Sequence, residues 1–147
     1  MRLREEGADV VIVGTGKPEY TGKHCLKAKP DTSADQISAA DFDGIVIPGG
    51  WAPDKLRRSE SVKRIVRDAY NAGKIIGAIC HAGWVPISAG IVKGHRATGS
   101  SAIKDDLENA GATWVDAPAF RDRNIVWGRV VEDIPAFCRE LVDALST

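Results

Sequence analysis

The chain has 147 residues, enough for one domain with a buried core, and its 44% hydrophobic and 27% charged residues are typical of a globular protein. Twenty basic residues balance twenty acidic ones, which gives no reason to expect binding to nucleic acid or to a membrane. No apolar run approaches the length of a membrane span, residues 1–7 do not resemble a signal peptide, and three irregularly spaced cysteines exclude a disulfide framework. We therefore expect a single domain over residues 1–147, in the cytoplasm.

The first predicted elements are a short helix and two strands. Residues 2–6 are helical in character and end at Gly7. Residues 8–13 are short and β-branched, which predicts a buried strand, and residues 43–48 predict a second one. The polar stretch between them is broken by glycine and proline.

A helix that begins after Ser59 is the clearest local signal. The serine hydroxyl can accept from the free amides of the first turn. The apolar residues then recur at helical spacing, at Val62, Ile65, Val66, Ala69 and Tyr70. Residues 74–79 predict a third strand, followed at once by Cys80 and a helix of small residues over 81–89.

The C-terminal part continues the alternation of strands and helices. It predicts a helix over 101–110, strands over 113–115 and 124–128, and a final helix from about Asp133. The apolar face of that helix is expected at Ile134, Phe137, Cys138, Leu141, Val142 and Leu145. Such alternation indicates a mostly parallel sheet covered on both faces, with ligands bound beyond the carboxyl ends of the strands.

Cys80 is the candidate nucleophile, because it lies where a predicted strand turns directly into a helix. Such an elbow requires small residues two positions before and after the nucleophile, and Ala78 and Ala82 meet that requirement. The helix amides would favour a thiolate. A buried, inert cysteine is the alternative interpretation.

The residues around Cys80 suggest its partners. His81 is either an acid/base group or an exposed residue of a first helical turn. Its amide and the Gly49-Gly50 loop are the candidate donors to an oxyanion. Trp51 and Trp84 each either line the pocket or pack, and Ala82 completes the predicted substrate site.

The remaining polar candidates are weaker. Asp54 is either a solvated turn residue or an acid oriented toward a histidine, and the sequence alone favours the first. His24 and His95 are interpreted as surface or loop residues. Cys25 beside His24 lacks the spacing of a metal site, so no metal is expected, and Cys138 is expected in the core.

The sequence resembles the ThiJ/PfpI family, and its PfpI-type branch in particular. The resemblance covers essentially the whole chain and rests on residues 41–54 (DFDGIVIPGGWAPD), 78–83 (AICHAG), 87–90 (ISAG), 103–107 (IKDDL), 109–116 (NAGATWVD) and 135–140 (PAFCRE). It implies a flavodoxin-like three-layer α/β sandwich with a reactive Cys80, a partner His81 and no cofactor. It also implies homodimers, often assembled into hexamers. In these, Asp54 stands where an acidic residue, more commonly Glu, reaches a histidine of the neighbouring subunit.

One departure from that family pattern concerns the first central strand. That strand, and the glutamate that follows it and contacts the cysteine, have no counterpart in residues 1–147. We therefore expect unpaired backbone on both neighbouring strands and a chain that is less stable than one carrying this strand.

The resemblance favours a cofactor-independent enzyme in which Cys80 acts on reactive carbonyls, as a glyoxalase-III-like or deglycase-like activity, or as a peptidase or amidase at the same site. The alternatives are a redox-sensing or chaperone-like stress protein that uses Cys80 oxidation, and an inactive truncated paralogue. A glutamine amidotransferase is disfavoured. That class has a His-x-Glu triplet after the cysteine, whereas Gly83 and Ala97 follow the two downstream histidines at this spacing.

Overall fold

Strands and helices alternate through most of the computed structural model, which describes residues 1–22 and 24–146. The strands are β1 (Val13–Gly14), β2 (Tyr20–Thr21), β3 (Lys27–Ala28), β4 (Thr32–Ser33), β5 (Gly44–Ile47), β6 (Ile75–Ile79), β7 (Arg96–Ala97), β8 (Thr113–Trp114), β9 (Ala119–Asp122) and β10 (Ile125–Gly128). The helices are α1 (Arg2–Glu5), α2 (Ala52–Leu56), α3 (Glu60–Asn71), α4 (Trp84–Ala89), α5 (Lys104–Asn109) and α6 (Ile134–Leu145). Four short 3-10 turns join these elements, at Ala39–Asp41, Cys80–Gly83, Ser101–Ile103 and Val131–Asp133.

The central sheet has the strand order β5-β6-β10-β9. Its first three strands are parallel, and β9 returns antiparallel to β10 as a hairpin. Because β6 is bonded on both sides, its residues 75–78 are buried and its carboxyl end, at Ile79, carries the elbow. The sheet thus presents Cys80 at the edge where ligands bind in open α/β folds.

Two apolar layers cover this sheet. The larger contains α3, α4 and α5, packed on one face through buried residues that include Val66, Ile76, Val85, Leu107 and Trp127. The smaller packs α6 on the opposite face through Ile75, Val126, Phe137, Leu141 and Ala144. Alternate residues of β6 and β10 point to opposite layers, as the pleat of a strand requires. The predicted mostly parallel three-layer α/β sandwich is confirmed.

The predicted helix after Ser59 is also confirmed. The Ser59 hydroxyl accepts from the Val62 amide at 3.4 Å, and Val62, Ile65, Val66 and Ala69 are buried. The final helix begins at Ile134 as expected, but its buried residues are Phe137, Leu141 and Ala144, and Ile134 is 45% exposed. Its inward face is therefore narrower than the sequence pattern indicated.

The predicted buried strand over residues 8–13 is wrong in extent and in burial. Only Val13 and Gly14 form a strand, paired in parallel with β4. Val10, Val11, Ile12 and Val13 are between 36% and 43% exposed. These residues have the composition of a buried strand, but the described residues supply no strand on their other side.

A cavity of about 160 Å³ separates β1 from the central sheet. Its walls are Val11 and Val13 on one side and β5 on the other, and α3 contributes Val62, Ile65 and Val66. No strand within residues 1–22 and 24–146 joins the two sheets across this gap. The position agrees with the expected absence of a first central strand.

His95 is a correction to the sequence interpretation, because it is fully buried and is not a surface residue. Its Nδ1 lies 2.7 Å from an Asp122 carboxylate oxygen, and its Nε2 lies 2.7 Å from the Tyr70 hydroxyl. These contacts connect α3 and β9 through the residue that precedes β7. No described helix has the length and apolar character that a membrane crossing requires.

Candidate active site

The Cys80 backbone lies in the left-handed region, with φ at 61°. Residues with a side chain rarely adopt this conformation, which costs of the order of 1–3 kcal/mol and is concentrated at functional sites. The chain leaves β6 at Ile79, reverses through the 3-10 turn at Cys80–Gly83, and continues as α4. The predicted strand–elbow–helix arrangement is therefore present in the backbone.

The elbow is held from a neighbouring loop. The Ser100 amide donates to the Cys80 carbonyl at 3.1 Å. A Cβ at Gly99 would lie 2.7 Å from the same carbonyl oxygen, closer than real Cβ contacts occur. Glycine at position 99 thus allows the loop to press against the elbow.

His81 and Cys80 are brought together, although adjacent side chains usually diverge. The Cys80 sulfur lies 3.2 Å from Nδ1 of His81. At this distance the imidazole can accept the thiol proton or donate to the thiolate. The pair therefore has the geometry of a nucleophile and its acid/base group.

The predicted glycine loop also lies at the elbow. A Cβ at Gly49 would be 2.9 Å from the Cys80 Cβ and 3.0 Å from the Ile79 carbonyl oxygen, so a side chain would displace the nucleophile. Gly50 has φ at 67°. Trp51, next along, is 77% exposed. Ala82 is fully buried, and its side chain meets the demand of the elbow for a small residue.

Asp54 lies on α2 and is bound by an arginine that follows this helix. Both carboxylate oxygens accept from Nη2 of Arg58 at 2.9 Å. The described contacts do not join Asp54 to Cys80 or to His81, and its predicted partner is a histidine of another subunit. That contact stays a prediction.

Near the pair, the sequence leaves Trp84 open between lining the pocket and packing, and it gives no role to Arg57 or Asp106. Trp84 packs its indole edge-on against His81, with ring centroids 5.2 Å apart. Its Nε1 donates to Asp106 on α5 at 2.7 Å, and Arg57, the residue after α2, lies over its ring. The i,i+3 spacing of His81 and Trp84 was a usable signal, whereas Arg57 and Asp106 lie far away in sequence. Within residues 1–22 and 24–146, no group of three His, Cys, Asp or Glu side chains is arranged to hold a metal ion.

Comparisons with known proteins agree with this architecture. The model of the DJ-1/PfpI family matches residues 1–144. The chain is 41% identical over 145 residues to "Deglycase PH1704" of Pyrococcus horikoshii, covering 99% of this chain and 87% of that protein. It is 39% identical over 147 residues to "General stress protein 18" of Bacillus subtilis, covering 98% and 86%.

Among solved structures, the chain is similar to a two-domain protein of Anabaena variabilis that contains DJ-1/ThiJ/PfpI-like and ferritin-like domains. The TM-score is 0.94 at 34% identity, and the match covers 99% of this chain and 42% of that larger one. The family match over nearly the whole sequence accounts for the elbow, the glycine loop and the layered fold together. The chain belongs to the DJ-1/PfpI family.

Proposed function

We propose that this protein is a cofactor-independent enzyme in which Cys80 attacks reactive carbonyls, such as methylglyoxal and its adducts. The observation that carries the proposal is the 3.2 Å contact between the Cys80 sulfur and His81 Nδ1 at a strained elbow. The naming of a 41% identical relative as a deglycase supports the same chemistry.

The proposed reaction begins with transfer of the thiol proton to His81. The sulfur then forms a bond to the aldehyde carbon, and the carbonyl oxygen, protonated by His81, becomes the hydroxyl of a hemithioacetal. With methylglyoxal, the hydrogen on that carbon moves as a proton to the adjacent ketone carbon. The proton of the hemithioacetal hydroxyl passes to the ketone oxygen, so the former hydroxyl oxygen becomes the thioester carbonyl. This step gives a thioester of a 2-hydroxy acid, which water hydrolyses to release the acid and the thiol. No external oxidant is needed, because one carbon is oxidised while its neighbour is reduced.

The developing oxyanion requires donors close to Cys80. We assign this role to the amides of Gly49, Gly50 and His81, since the loop approaches Cys80 within van der Waals distance. Trp51 would form the outer wall of the substrate site. Peptidase or amidase activity at the same cysteine is the second form of this chemistry.

A redox-sensing role is the alternative from a different class. Cys80 is partly exposed and next to an imidazole, which suits oxidation to a sulfinate. The 39% identical general stress protein supports this alternative. Peroxide titration followed by intact-mass measurement tests it, since a stable two-oxygen adduct on Cys80 without carbonyl turnover would replace the enzyme proposal.

The first test is methylglyoxal consumption by the wild-type protein and by Cys80→Ser. We expect turnover by the wild type and none by the variant, and a loss of about 10²–10⁴-fold in His81→Ala. Cys138→Ser, which changes a half-buried thiol on α6, is the matched control and should keep full activity. Turnover that persists in Cys80→Ser would refute the proposal.

The proposed assembly is a homodimer, or a hexamer built from such dimers, in the cytoplasm. Trp51 and Asp54 belong to one segment beside the catalytic loop, and Trp51 is an exposed large aromatic residue. An interface there would bring Asp54 toward His81 of a second subunit.

A further inference from the structure

The His81 imidazole packs against the indole of Trp84. The two ring planes meet at 61°, and the residues are three positions apart, so their side chains share one face of the turn. An edge-on aromatic contact has a preferred geometry and restricts the rotation of both rings. The orientation kept by this contact is the one that places His81 Nδ1 against the Cys80 sulfur.

Trp84 is in turn fixed from two other helices. Its indole Nε1 donates to the Asp106 carboxylate at 2.7 Å, and Asp106 belongs to α5. The guanidinium of Arg57, the residue that caps the C-terminus of α2, lies 5.5 Å from the indole centroid. Arg57 is itself held, because its Nε donates to the Ser88 hydroxyl at 2.9 Å. The indole therefore cannot turn without losing a hydrogen bond and a cation–π contact.

We propose that Trp84 is a positioning residue for His81, and that Asp106 and Arg57 influence Cys80 only through Trp84. The proposal deepens the proposed function and rests on Cys80 and His81 being its reactive pair. Its consequence is that an exposed carboxylate on α5 controls the reactivity of a thiol at the end of β6. Arg57, at the C-terminal end of α2, and Asp106, on α5, are the charged groups in contact with the indole among the described residues.

The test measures alkylation of Cys80 by iodoacetamide between about pH 5 and pH 9, where thiols and imidazoles titrate. Peptide mapping separates Cys80 from Cys25 and Cys138. In Trp84→Phe and Asp106→Ala, we expect alkylation at neutral pH to slow by about fivefold, the value of one ordinary hydrogen bond. The curve of alkylation rate against pH should shift to higher pH in both variants. Asp105→Ala, which removes the adjacent first-turn carboxylate of α5, should match the wild type.

Combined variants separate positioning from general damage. Cys80 should be alkylated no more slowly in the double variant of Trp84→Phe and Asp106→Ala than in Trp84→Phe alone. Both substitutions act through the same contact of Trp84 with His81, so their effects should not add. In a His81→Ala background, Trp84→Phe should cause no further change in the alkylation rate of Cys80. A wild-type profile in a folded Trp84→Phe, or an equal effect of Trp84→Phe with and without His81, would overturn the proposal.

Two features keep the outcome clear. Asp106 is exposed, so Asp106→Ala probes the path even if Trp84→Phe fails to fold, and thermal melts identify that case. Alkylation needs no carbonyl substrate, so a protein without methylglyoxal turnover still gives the full result. Failure of the proposed function is thereby distinguished from failure of the positioning role.

Discussion

Tyr70, His95 and Asp122 form a hydrogen-bonded chain through the interior, remote in sequence from Cys80. The buried imidazole can donate from Nδ1 to Asp122 and accept at Nε2 from the Tyr70 hydroxyl, which satisfies both ring nitrogens. Arg96 adds a second donor to Asp122 at 3.3 Å. This arrangement stabilises the contact of α3 with the β9–β10 hairpin.

The acid stability of the protein should depend on Asp122. Partial burial raises the pKa of this carboxyl, but hydrogen bonds from His95 and Arg96 outweigh that effect and hold the pKa below its usual value. A carboxyl whose pKa is lower in the folded chain stabilises it above about pH 4, and this contribution is lost as the pH falls further. Asp122→Asn should therefore lower the melting temperature at pH 7, and the difference from wild type should shrink below about pH 4. A pH-independent difference, or one no larger than for exposed Asp105→Asn, would contradict this.

At the residue scale, local chemistry was predictable and remote partners were not. Small neighbours identified the elbow at Cys80, and adjacency identified His81. The burial of His95 could not be predicted, because its partners Tyr70 and Asp122 lie 25 and 27 positions away in sequence. No local sequence pattern indicates that they contact the imidazole. The contact between Trp84 and Asp106, 22 positions apart, was missed for the same reason.

At the element scale, the gap between β1 and β5 exposes backbone on two sides. Ile12 and Gly14 accept hydrogen bonds from β4 and its flanking residues, so the alternate residues Val11 and Val13 direct their backbone groups into the gap. On β5, Asp43 accepts from Ile75, which leaves Gly44 and Val46 directed away from β6. The gap therefore has the donors, acceptors and apolar floor that one further strand would use.

A chain that carries one additional apolar strand ahead of Met1 should be more stable than the chain of 147 residues. Filling the gap would pair backbone groups on both sides and bury Val46, which is 44% exposed. We expect the melting temperature to rise by more than about 5 °C. A Gly/Ser extension of equal length is the control. If the short form is monomeric and melts at the same temperature as the strand-bearing form, the expectation is wrong.

The same gap explains which elements could be predicted from the sequence. The helix after Ser59 was recognisable because its cap and its apolar spacing are local properties. The stretch 8–13 has the composition of a buried strand, but burial depends on what lies beside it. The apolar, β-branched composition of residues 8–13 suits a strand with neighbours on both sides. In the described fold a neighbouring strand, β4, lies on one side only.

For the whole molecule, the exposed indole of Trp51 should mark the surface between subunits. Trp51→Ser should shift the sedimentation coefficient toward that of a monomer. Methylglyoxal turnover should also fall, because the variant loses the outer wall of the substrate site as well as the approach of Asp54 to a neighbouring His81. Leu26→Ser changes a similarly exposed apolar residue near the β2–β3 hairpin and is the control. An unchanged sedimentation coefficient would place the interface elsewhere.

The left-handed backbone at Cys80 argues against the alternative that this protein is an inactive paralogue. A strain of the order of 1–3 kcal/mol is a large share of the 5–15 kcal/mol that usually separates a folded chain from an unfolded one. A glycine at position 80 would relieve that strain. A protein that no longer used the thiol would therefore become more stable by replacing this cysteine. The chain instead keeps cysteine at a position whose backbone favours glycine, beside a histidine that contacts its sulfur. The strained backbone at Cys80 therefore favours a protein in which the reactivity of this thiol is still under selection.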